Sequence, residues 1–483
     1  MKYMVSVAAL CVLCLNTPQL QAQGEVEALR YSSADAGWSA RSMGMAGAYS
    51  SVGADISSFY TNPAGLALYK RTNLEMALSH DNAGIETNYN ETTHKDLTSR
   101  LSIGNAGFIA VRKPRSPRIL NLSYGLSYSK TQHFYQDFTL QGKAESSLMQ
   151  QFARQAGGTY PNEIYTTYPF TAGLAYEVYG IDPADASGSA YVAATEGENT
   201  QRKKVTRQGR QNETTLGLAL QIGENLYLGA TAGITGIYFS EISSYTEKYP
   251  NGNRVTYIGF DEDLSTFGTG FNARIGAIYR IIKSVKIAAS YQSKTITYLQ
   301  DYYSTSASSN VDTTSYFSNS PELNSDYVLR TPSRWTFGLS ALAGKNGMIS
   351  MDWMQSDYRM STMSGTNQNT YDYSAENSLF DTLFRRTNQL RAGLEVRVRS
   401  TYYVRAGYGI QQSPLSDQSK SLHPSIQTWS AGIGYRDDHL FADLACSSSI
   451  TKNSYFLYDP TLVNAATLRN HQVRVMLSVG VRF

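Results

Sequence analysis

Hydrophobic and polar residues alternate along the segment 471–483. Successive side chains of a strand point to opposite faces, so this segment predicts a strand with one apolar face. A strand of a soluble sandwich shows the same alternation. Ending on an aromatic residue, the segment favours the closing strand of an outer-membrane β-barrel, with the apolar face toward lipid. The apolar positions are Val473, Val475, Leu477, Val479, Val481 and Phe483.

Similar alternation recurs in about fourteen stretches between residues 72 and 483, most of them long enough to cross a bilayer as tilted strands. Their connections alternate between short and long, as expected for periplasmic turns and outer loops. The pattern predicts an all-β fold: a transmembrane antiparallel β-barrel of about fourteen strands in the bacterial outer membrane. The predicted long loops are 81–98, 131–212, 241–266, 299–332, 359–385, 412–426 and 453–469.

The first seventy residues lack this alternation. Residues 1–22 have a basic start, an apolar core and small residues before a cleavage position after Ala22, which predicts a signal peptide. Residues 23–70 are rich in glycine, alanine and serine, and Asn62-Pro63 suits a helix start. They form either an exposed leader or a plug inside the lumen, and we expect the plug. Residues 71–483 then form the barrel, with its longest outer loop at about 131–212.

Composition agrees with a barrel and excludes several function classes. Charged residues are 17% of the chain, below the roughly 25% of soluble proteins. The net charge of +3 gives no case for nucleic acid. One cysteine, Cys446, remains after signal removal, so neither a disulfide nor a zinc cluster is expected. His80 and Asp81 are adjacent, so on a strand they face opposite ways and make no catalytic dyad. We predict no enzyme activity and no cofactor.

Three segments resemble the FadL-type family (FadL/TodX), outer-membrane transporters of long-chain fatty acids and other hydrophobic compounds. The segment 39–48, followed by Phe59-Tyr-Thr-Asn-Pro-Ala-Gly-Leu66, is similar to the family's N-terminal hatch with its Asn-Pro-Ala signature. The segment 404–414 resembles a late-strand Arg-x-Gly-Tyr element followed by Ser-Pro, and 331–338 leading to 352–353 resembles a mid-barrel element.

The resemblance implies passive uptake of hydrophobic molecules through a barrel closed by the hatch, with sideways exit at a kink in the third strand. That strand is expected at 118–130, where Gly125 is the candidate kink because glycine weakens and bends strands. Relatives labelled as aromatic-hydrocarbon channels or haemin receptors leave the substrate open. The hatch residues expected to contact substrate or to gate are Phe59, Asn62, Pro63, Ala64, Gly65 and Leu66.

Two interpretations stay open for the basic residues. Arg274, Arg391 and Arg405 either hold a substrate carboxylate or pair with lumen acids such as Glu395, and pairing is favoured. The basic residues between 202 and 210 are either a solvated loop, which is favoured, or attract anionic lipid head groups or an anionic substrate.

Rival functions and partners follow from the same pattern. A general porin takes 16–18 strands and an energy-coupled transporter 22 with a larger plug. A binding or adhesion barrel, or a haemin-type receptor using its long outer loops, remains the alternative function. Expected partners are a hydrophobic small molecule, outer-membrane lipid and, through the C-terminal strand ending at Phe483, the barrel-assembly machinery. A monomer is expected.

Overall fold

A computed structural model describes residues 24–32, 39–195, 197–416 and 425–483. The predicted signal peptide lies outside the described residues. The α-helices are α1 Gly24–Ser32, α2 Ala40–Met43, α3 Leu148–Ala156, α4 Ile164–Thr167, α5 Ala172–Glu177 and α6 Ser374–Leu383, and the 3-10 helices are Ile56–Phe59, Pro63–Leu68 and Tyr358–Met360. None of the helices in these ranges is long and apolar enough to cross a membrane.

The strands run along the whole chain after residue 72. They are β1 Asn73–Tyr89, β2 Thr92–Arg112, β3 Ile119–His133, β4 Gln136–Ala144, β5 Ile181–Pro183, β6 Tyr191–Ala193, β7 Asn199–Ile222, β8 Leu226–Lys248, β9 Val255–Ile282, β10 Val285–Gln292, β11 Ile296–Val311, β12 Thr314–Asn319, β13 Leu323–Arg330, β14 Arg334–Ala343, β15 Gly347–Asp357, β16 Thr362–Ser364, β17 Arg386–Arg397, β18 Tyr402–Gln411, β19 Ile426–Arg436, β20 Leu440–Tyr455 and β21 Ala466–Arg482.

Antiparallel pairing closes these strands into a barrel. β1 pairs with β2 on one side and with β21 on the other, so the first and last wall strands join. Four wall strands are interrupted, namely β3 with β4, β10 with β11, β12 with β13 and β14, and β15 with β16, so the nineteen strands of the sheet form fourteen strands around the wall. The predicted fold class is therefore confirmed. Because β1 pairs with β21, the sheet has no terminal edge strand exposed to lipid, as a membrane barrel requires.

The alternation of the sequence becomes an alternation of exposure. In β21, Leu477 and Val479 face outward with 44% of their surface exposed, whereas Met476 and Ser478 are buried inside. The same alternation appears in β9, where Phe271, Ile275 and Tyr279 are exposed. Their contiguity around the wall makes an apolar outer belt, the architecture of an outer-membrane barrel.

Several predicted long loops are in fact strands that continue beyond the apolar belt. The expected loop 81–98 is a hairpin with a two-residue turn at Asn90-Glu91, and β8 and β9 extend into the expected loop 241–266. The basic residues between 202 and 210 lie on β7 and not in a loop. Beyond the belt the apolar residues of these strands, such as Tyr245, Ile258 and Phe260, face inward and are fewer, so the outward apolar alternation that predicts a membrane strand stops although the backbone ladder continues.

A helical cap covers part of the long-loop end. This outer cap, residues 145–195, contains three short helices and the β5–β6 hairpin. Its apolar residues, including Phe152 and Leu174, pack against Phe260 of β9 and Val311 of β11. The N-terminal turn of α3 is held by Glu247, whose carboxylate accepts hydrogen bonds from the Ser147 hydroxyl (2.6 Å) and the Leu148 amide (2.7 Å).

Candidate functional site

Residues 39–69, called the lumen segment below, are bonded to the inner wall on all sides. The Ala40 amide donates to Ser478 Oγ of β21 (3.0 Å), and the Ala46 amide donates to Ser430 Oγ of β19 (2.8 Å). The opposite wall is reached through Asp352 of β15, whose Oδ2 accepts from the amides of Tyr49 and Ser50 at 2.9 Å each. Further bonds run to β3, β8, β9, β10 and β17. The small residues of this segment allow such close packing.

The Asn62-Pro63 turn has the geometry that its sequence predicts. Asn62 caps the 3-10 helix Pro63–Leu68 by accepting from the Ala64 amide (3.1 Å), and its Nδ2 donates to the carbonyl of Ala277 in β9 (3.2 Å). The wall approaches the turn at Gly276, where an added Cβ would lie 1.9 Å from Asn62 Oδ1. Glycine is therefore required there by the closeness of the lumen segment.

The expected gating residues are packing residues in this structure. Phe59, Ala64 and Leu66 are fully buried and form an apolar cluster with wall residues such as Ile109 and Ile278. Pro63 is buried in the same 3-10 helix, and the Gly65 carbonyl accepts the Ala54 amide (2.9 Å). These residues attach the lumen segment to the wall and do not line the cavity described next.

A polar cavity of ≈ 50 Å³ lies in the lumen beside the lumen segment. Tyr60 and Thr61 line it from the lumen segment, and Tyr31 lines it from α1. The Tyr60 hydroxyl lies 2.9 Å from Ser127 Oγ. Burial, reinforced by the charge of Glu213, raises the pKa of the Tyr60 phenol, so it stays protonated. The sequence did not single out Tyr60, although it adjoins the predicted Asn62-Pro63 turn.

Arg274 and Arg405, two of the candidate carboxylate-binding arginines, are bonded to buried acids. Arg274 makes two bonds to Glu213, at 2.5 and 2.9 Å, with both side chains about 95% buried. Arg405 is fully buried and bonds Glu395 (2.6 Å) and Asp443 (2.7 Å). A buried arginine needs such partners because an uncompensated charge there is strongly unfavourable.

The third candidate arginine lies at the cavity. Arg391 lines it together with Arg334 and Asp352, and its Nη2 donates to Gln389 Oε1 (3.0 Å). Glu395 also bonds Arg41 of the lumen segment through two contacts, at 2.8 and 2.9 Å. The acids of the wall therefore fix both the arginines and the lumen segment.

An apolar cluster lies on the long-loop side of the lumen and contains residues from α1, β3–β4 and α6. Tyr31 and Phe134 make an edge contact with ring centroids 5.9 Å apart, and Phe134 makes another with Phe239 at 5.5 Å. Glu27 of α1 accepts a hydrogen bond from the Tyr327 hydroxyl (2.5 Å). We call this set the upper apolar cluster: Ala28, Tyr31, Phe134, Ile237, Phe239, Leu264, Leu299, Tyr327, Leu329, Tyr358, Met363, Phe380 and Phe384.

The upper apolar cluster was not predicted, because its residues come from α1, the β3–β4 turn, the wall strands β8, β9, β11 and β13, and residues 358–384. Phe380 and Phe384 follow a helical spacing and stack at 5.4 Å, a local signal that does not indicate the other members. A second, larger apolar cluster on this side joins the outer cap to inner-wall residues such as Val205, Tyr245 and Phe260.

The backbone ladder between β2 and β3 is incomplete, and we call the stretch without a ladder the opening. Hydrogen bonds of side chains cross it, from Lys130 Nζ to Ser102 Oγ (2.6 Å), from Thr98 Oγ1 to Asp137 Oδ2 (2.9 Å) and from the Thr139 amide to Asp96 Oδ2 (2.8 Å). Within the described residues, the ladder covers only Asn105–Arg112 against Leu122–Ser129, although β1 pairs with β2 up to Thr92. Beyond Ser129 the register of β3 shifts between Lys130 and Gln132, and β4 continues beside β7. Arg100 of β2 lies over the ring of Tyr135 at 5.2 Å, across this opening. Leu97 and Leu101 at its edge are 74% and 70% exposed.

The irregularity of β3 is at Lys130–Gln132 and not at Gly125, the candidate kink. Gly125 is paired regularly with Ile109 on one side and Gly217 on the other. An ion pair holds the bend, since Lys130 Nζ contacts Asp81 Oδ2 at 2.5 Å. His80, next to Asp81, points outward and lies 2.8 Å from Ser99 Oγ, so the two adjacent residues face opposite ways.

Comparison with solved structures identifies the fold. A Pseudomonas aeruginosa FadL homologue matches with a TM-score of 0.56 at 13% identity, covering 93% of this chain and 100% of that chain. The P. putida toluene transporter TodX matches with a TM-score of 0.53 at 14% identity, covering 92% and 99%. No family model and no curated protein matches the sequence. The resemblance drawn from the sequence is confirmed at the level of the fold.

Proposed function

We propose that the protein is a bacterial outer-membrane channel for passive uptake of hydrophobic molecules, long-chain fatty acids or compounds of similar polarity. The FadL-type fold, the apolar outer belt and the upper apolar cluster support this function. The observation that carries the proposal is the end of the β2–β3 ladder at Asn105 and Ser129, beside the exposed side chains of Leu97 and Leu101.

A sideways exit into lipid is favoured because a hydrophobic solute is less stable in water than in an apolar environment. A hydrophobic solute gains about 0.8 kcal/mol per CH₂ group on leaving water, so a route through a water-filled lumen is unfavourable. In the proposed route the solute meets the upper apolar cluster, passes the lumen segment and leaves into lipid between β2 and β3. The lumen segment acts as the hatch, with Phe59, Asn62, Pro63, Ala64, Gly65 and Leu66 setting its position.

The arginines divide between two roles in this proposal. Arg274 and Arg405 hold the wall acids Glu213 and Glu395, which supports a structural role. Arg391 lines the cavity opposite Asp352 of the neighbouring strand, and its place at the cavity makes it the candidate for contact with a substrate carboxylate. A substrate without a carboxylate, such as an aromatic hydrocarbon, would not depend on it.

The exit is tested by bridging the opening. In a Cys446→Ser background, Arg100→Cys and Tyr135→Cys place thiols on the two sides, and a short bifunctional thiol reagent links them. The control pair, Thr428→Cys with Ser449→Cys, lies across an intact ladder between β19 and β20.

Uptake of labelled oleate and toluene into cells is measured before linking, after linking and after reduction. We expect uptake to fall at least about fivefold on linking at the opening, to return on reduction and to stay unchanged in the control. Equal uptake with the opening linked would exclude this exit.

The substrate class is tested by identifying the molecules that co-purify with the protein in mild detergent, using mass spectrometry. We expect hydrophobic molecules at the upper apolar cluster. Phe239→Asp should abolish their retention, while Phe317→Asp, on an exposed outer strand, should not. Retention unaffected by Phe239→Asp would argue against the cluster as the binding site and in favour of binding on the outer loops.

A further inference from the structure

The turn between β2 and β3 concentrates positive charge at the short-turn end of the barrel. Residues 112–118 read Arg-Lys-Pro-Arg-Ser-Pro-Arg, so this segment contains four cations and no acid. We call it the basic turn; its cations are Arg112, Lys113, Arg115 and Arg118, and all four are exposed. An exposed basic run is in itself only a solvated surface, so a binding role depends on what surrounds it.

The other short connections carry less positive charge. The connection at 223–225 contains Glu224, and the one at 437–438 contains two aspartates. The remaining ones have one or two cations each, namely Lys283, Lys345 and the pair Arg397 and Arg399. The charge of the basic turn is therefore a local feature of the β2–β3 connection and not of the whole rim.

Two more cations lie beside the basic turn. The Val111 amide donates to Thr72 Oγ1 (3.2 Å), which places Lys70 and Arg71 next to the end of β2. Arg71 pairs with Asp438 at 3.8 Å, and their side chains are 47% and 87% exposed. Within the described ranges, no carboxylate lies at ion-pair distance from the four cations of the basic turn. Such an excess of positive charge favours a ligand with net negative charge over a zwitterionic one.

The backbone of the basic turn is held in one place. Pro114 and Pro117 fix their own φ angles, and Ser116 Oγ accepts hydrogen bonds at 3.3 Å each from the amides of the two residues that follow Pro117. The Arg118 carbonyl accepts the Gly223 amide (2.8 Å), which ties the turn to the end of β7. Because the turn is ordered before a ligand arrives, binding loses less conformational entropy than binding by a free loop would.

The basic turn adjoins the apolar belt on the outer face of the wall. Leu74 of β1 and Phe108 of β2 are cross-strand partners that are 50% and 42% exposed, and Leu120 of β3 is 40% exposed. Arg112 follows Phe108 by four positions and points to the same face, and Arg118 precedes Leu120 by two positions. On both strands the cations lie on the short-turn side of the apolar residues. A phosphate at these cations therefore leaves its acyl chains in the hydrocarbon.

We propose that the basic turn and the apolar residues beside it bind an anionic phospholipid of the inner leaflet. Arg112 and Arg118, which adjoin the belt, hold the phosphate, and one acyl chain lies along Phe108. Charge-assisted hydrogen bonds from arginine are strong contacts for phosphate, and basic clusters beside a membrane-spanning element attract anionic lipid. A soluble polyanion would use the same cations but not the adjoining apolar residues. The inference rests on the outer-membrane placement proposed above, but not on the transport route.

Binding is measured on the purified full-length protein in detergent by native mass spectrometry with added phosphatidylglycerol. Phosphatidylethanolamine tests the need for net negative charge. Glycerol 3-phosphate, which has the phosphate but no acyl chains, tests as a competitor whether the chains are needed.

The test variant removes the four charges of the basic turn by Arg112→Gln, Lys113→Gln, Arg115→Gln and Arg118→Gln. The matched control removes the same charge at the same end of the barrel by Lys283→Gln, Lys345→Gln, Arg397→Gln and Arg399→Gln. A shift in gel mobility on heating shows that each variant is a folded barrel. The double variant Arg112→Gln with Arg118→Gln should show most of the loss, and it decides the matter if the fourfold variant does not assemble.

We expect the wild-type protein to bind one phosphatidylglycerol with an apparent affinity at least about fivefold above that of the test variant, and the control to bind as the wild type does. Equal binding by the test variant, an equal loss in the control, or no preference of the wild type for phosphatidylglycerol over phosphatidylethanolamine would each overturn the proposal. Full competition by glycerol 3-phosphate would overturn it as well. Oleate uptake measured on the same variants separates this outcome from a failure of the transport function.

Discussion

The size and hydrogen-bonding groups of several wall residues match the part of the lumen segment that they contact. Gly276 leaves room for Asn62, and Asp352 receives two amides of the lumen segment. Arg405 neutralises two buried acids, one of which also holds Arg41. These contacts make the wall and the lumen segment one packed unit, so a change at one wall residue should affect the closure of the channel.

Gly276→Val should displace the Asn62-Pro63 turn, because the added side chain would overlap Asn62. Overpacking of this kind costs about 1–3 kcal/mol of stability. We expect a raised single-channel conductance in planar bilayers and a lower thermal unfolding midpoint. The control is Gly84→Val, where an added Cβ has its nearest neighbours at 3.9 Å. Equal conductance in both variants would contradict the close packing at Gly276.

Arg405→Leu should leave Glu395 and Asp443 buried without their shared partner. Removing one member of a buried ion pair costs about 3–5 kcal/mol. The expected result is a large decrease in the urea concentration at the unfolding midpoint, measured by tryptophan fluorescence in vesicles. The control is Arg397→Leu, at the exposed end of β17, which should change the urea midpoint of unfolding little.

Elements of this barrel extend further than the membrane requires. β8 and β9 pair over their full length from Leu226–Tyr279 to Lys248–Tyr257, and the outer cap packs on their ends. The helix α3 depends on one carboxylate, because Glu247 accepts bonds from Ser147 and Leu148 and from two tyrosine hydroxyls. The cap is therefore coupled to the wall at the N-terminus of a helix, where an anion is favourable.

Glu247→Leu should loosen the outer cap, since buried donors would lose their acceptor at a cost of about 1–3 kcal/mol each. We expect trypsin to cut after Arg154, within α3, at least several times faster than in the wild type, as followed by gel electrophoresis and mass spectrometry. Glu163→Leu, at an exposed position of the same cap, serves as the control. Unchanged cleavage would show that the cap is held mainly by its apolar contacts.

The whole molecule is a closed wall whose lumen is filled from within by residues of its own N-terminal region. The lumen segment, α1 and the outer cap occupy successive levels of the same barrel. With fourteen wall strands and this filling, passage of small polar solutes should be slow, unlike that in the wider porins.

Deleting residues 24–50 should therefore open the lumen. Liposome swelling with arabinose is expected to be near the protein-free rate for the wild type and several times faster for the deletion variant. Deleting 24–32 alone, which removes α1 but keeps the lumen segment, should give the smaller change. If the larger deletion left the swelling rate unchanged, the lumen segment would not be the barrier.

Local sequence determined the all-β class and the membrane-facing parts of the wall strands, because alternation reports which side chains meet lipid. It allowed either an exposed leader or a plug for the small-residue segment 23–70. It also determined the Asn62-Pro63 turn, since capping is a contact between neighbours. It did not show that β1 and β2 continue as a hairpin through the expected loop 81–98, because there the apolar residues Ile85 and Tyr89 face inward and the outer face is polar, unlike that of a membrane strand.

Tertiary structure alone decided the sites. The upper apolar cluster joins Tyr31, Phe134, Phe239 and Phe380 from separate parts of the chain, and no local pattern predicts their meeting. The bend of β3 lies at Lys130–Gln132 because Asp81, on another strand, holds Lys130, whereas Gly125 remains regularly paired. Alternation depends on each residue's own environment and is visible in the sequence, while openings and clusters depend on which distant strands become neighbours.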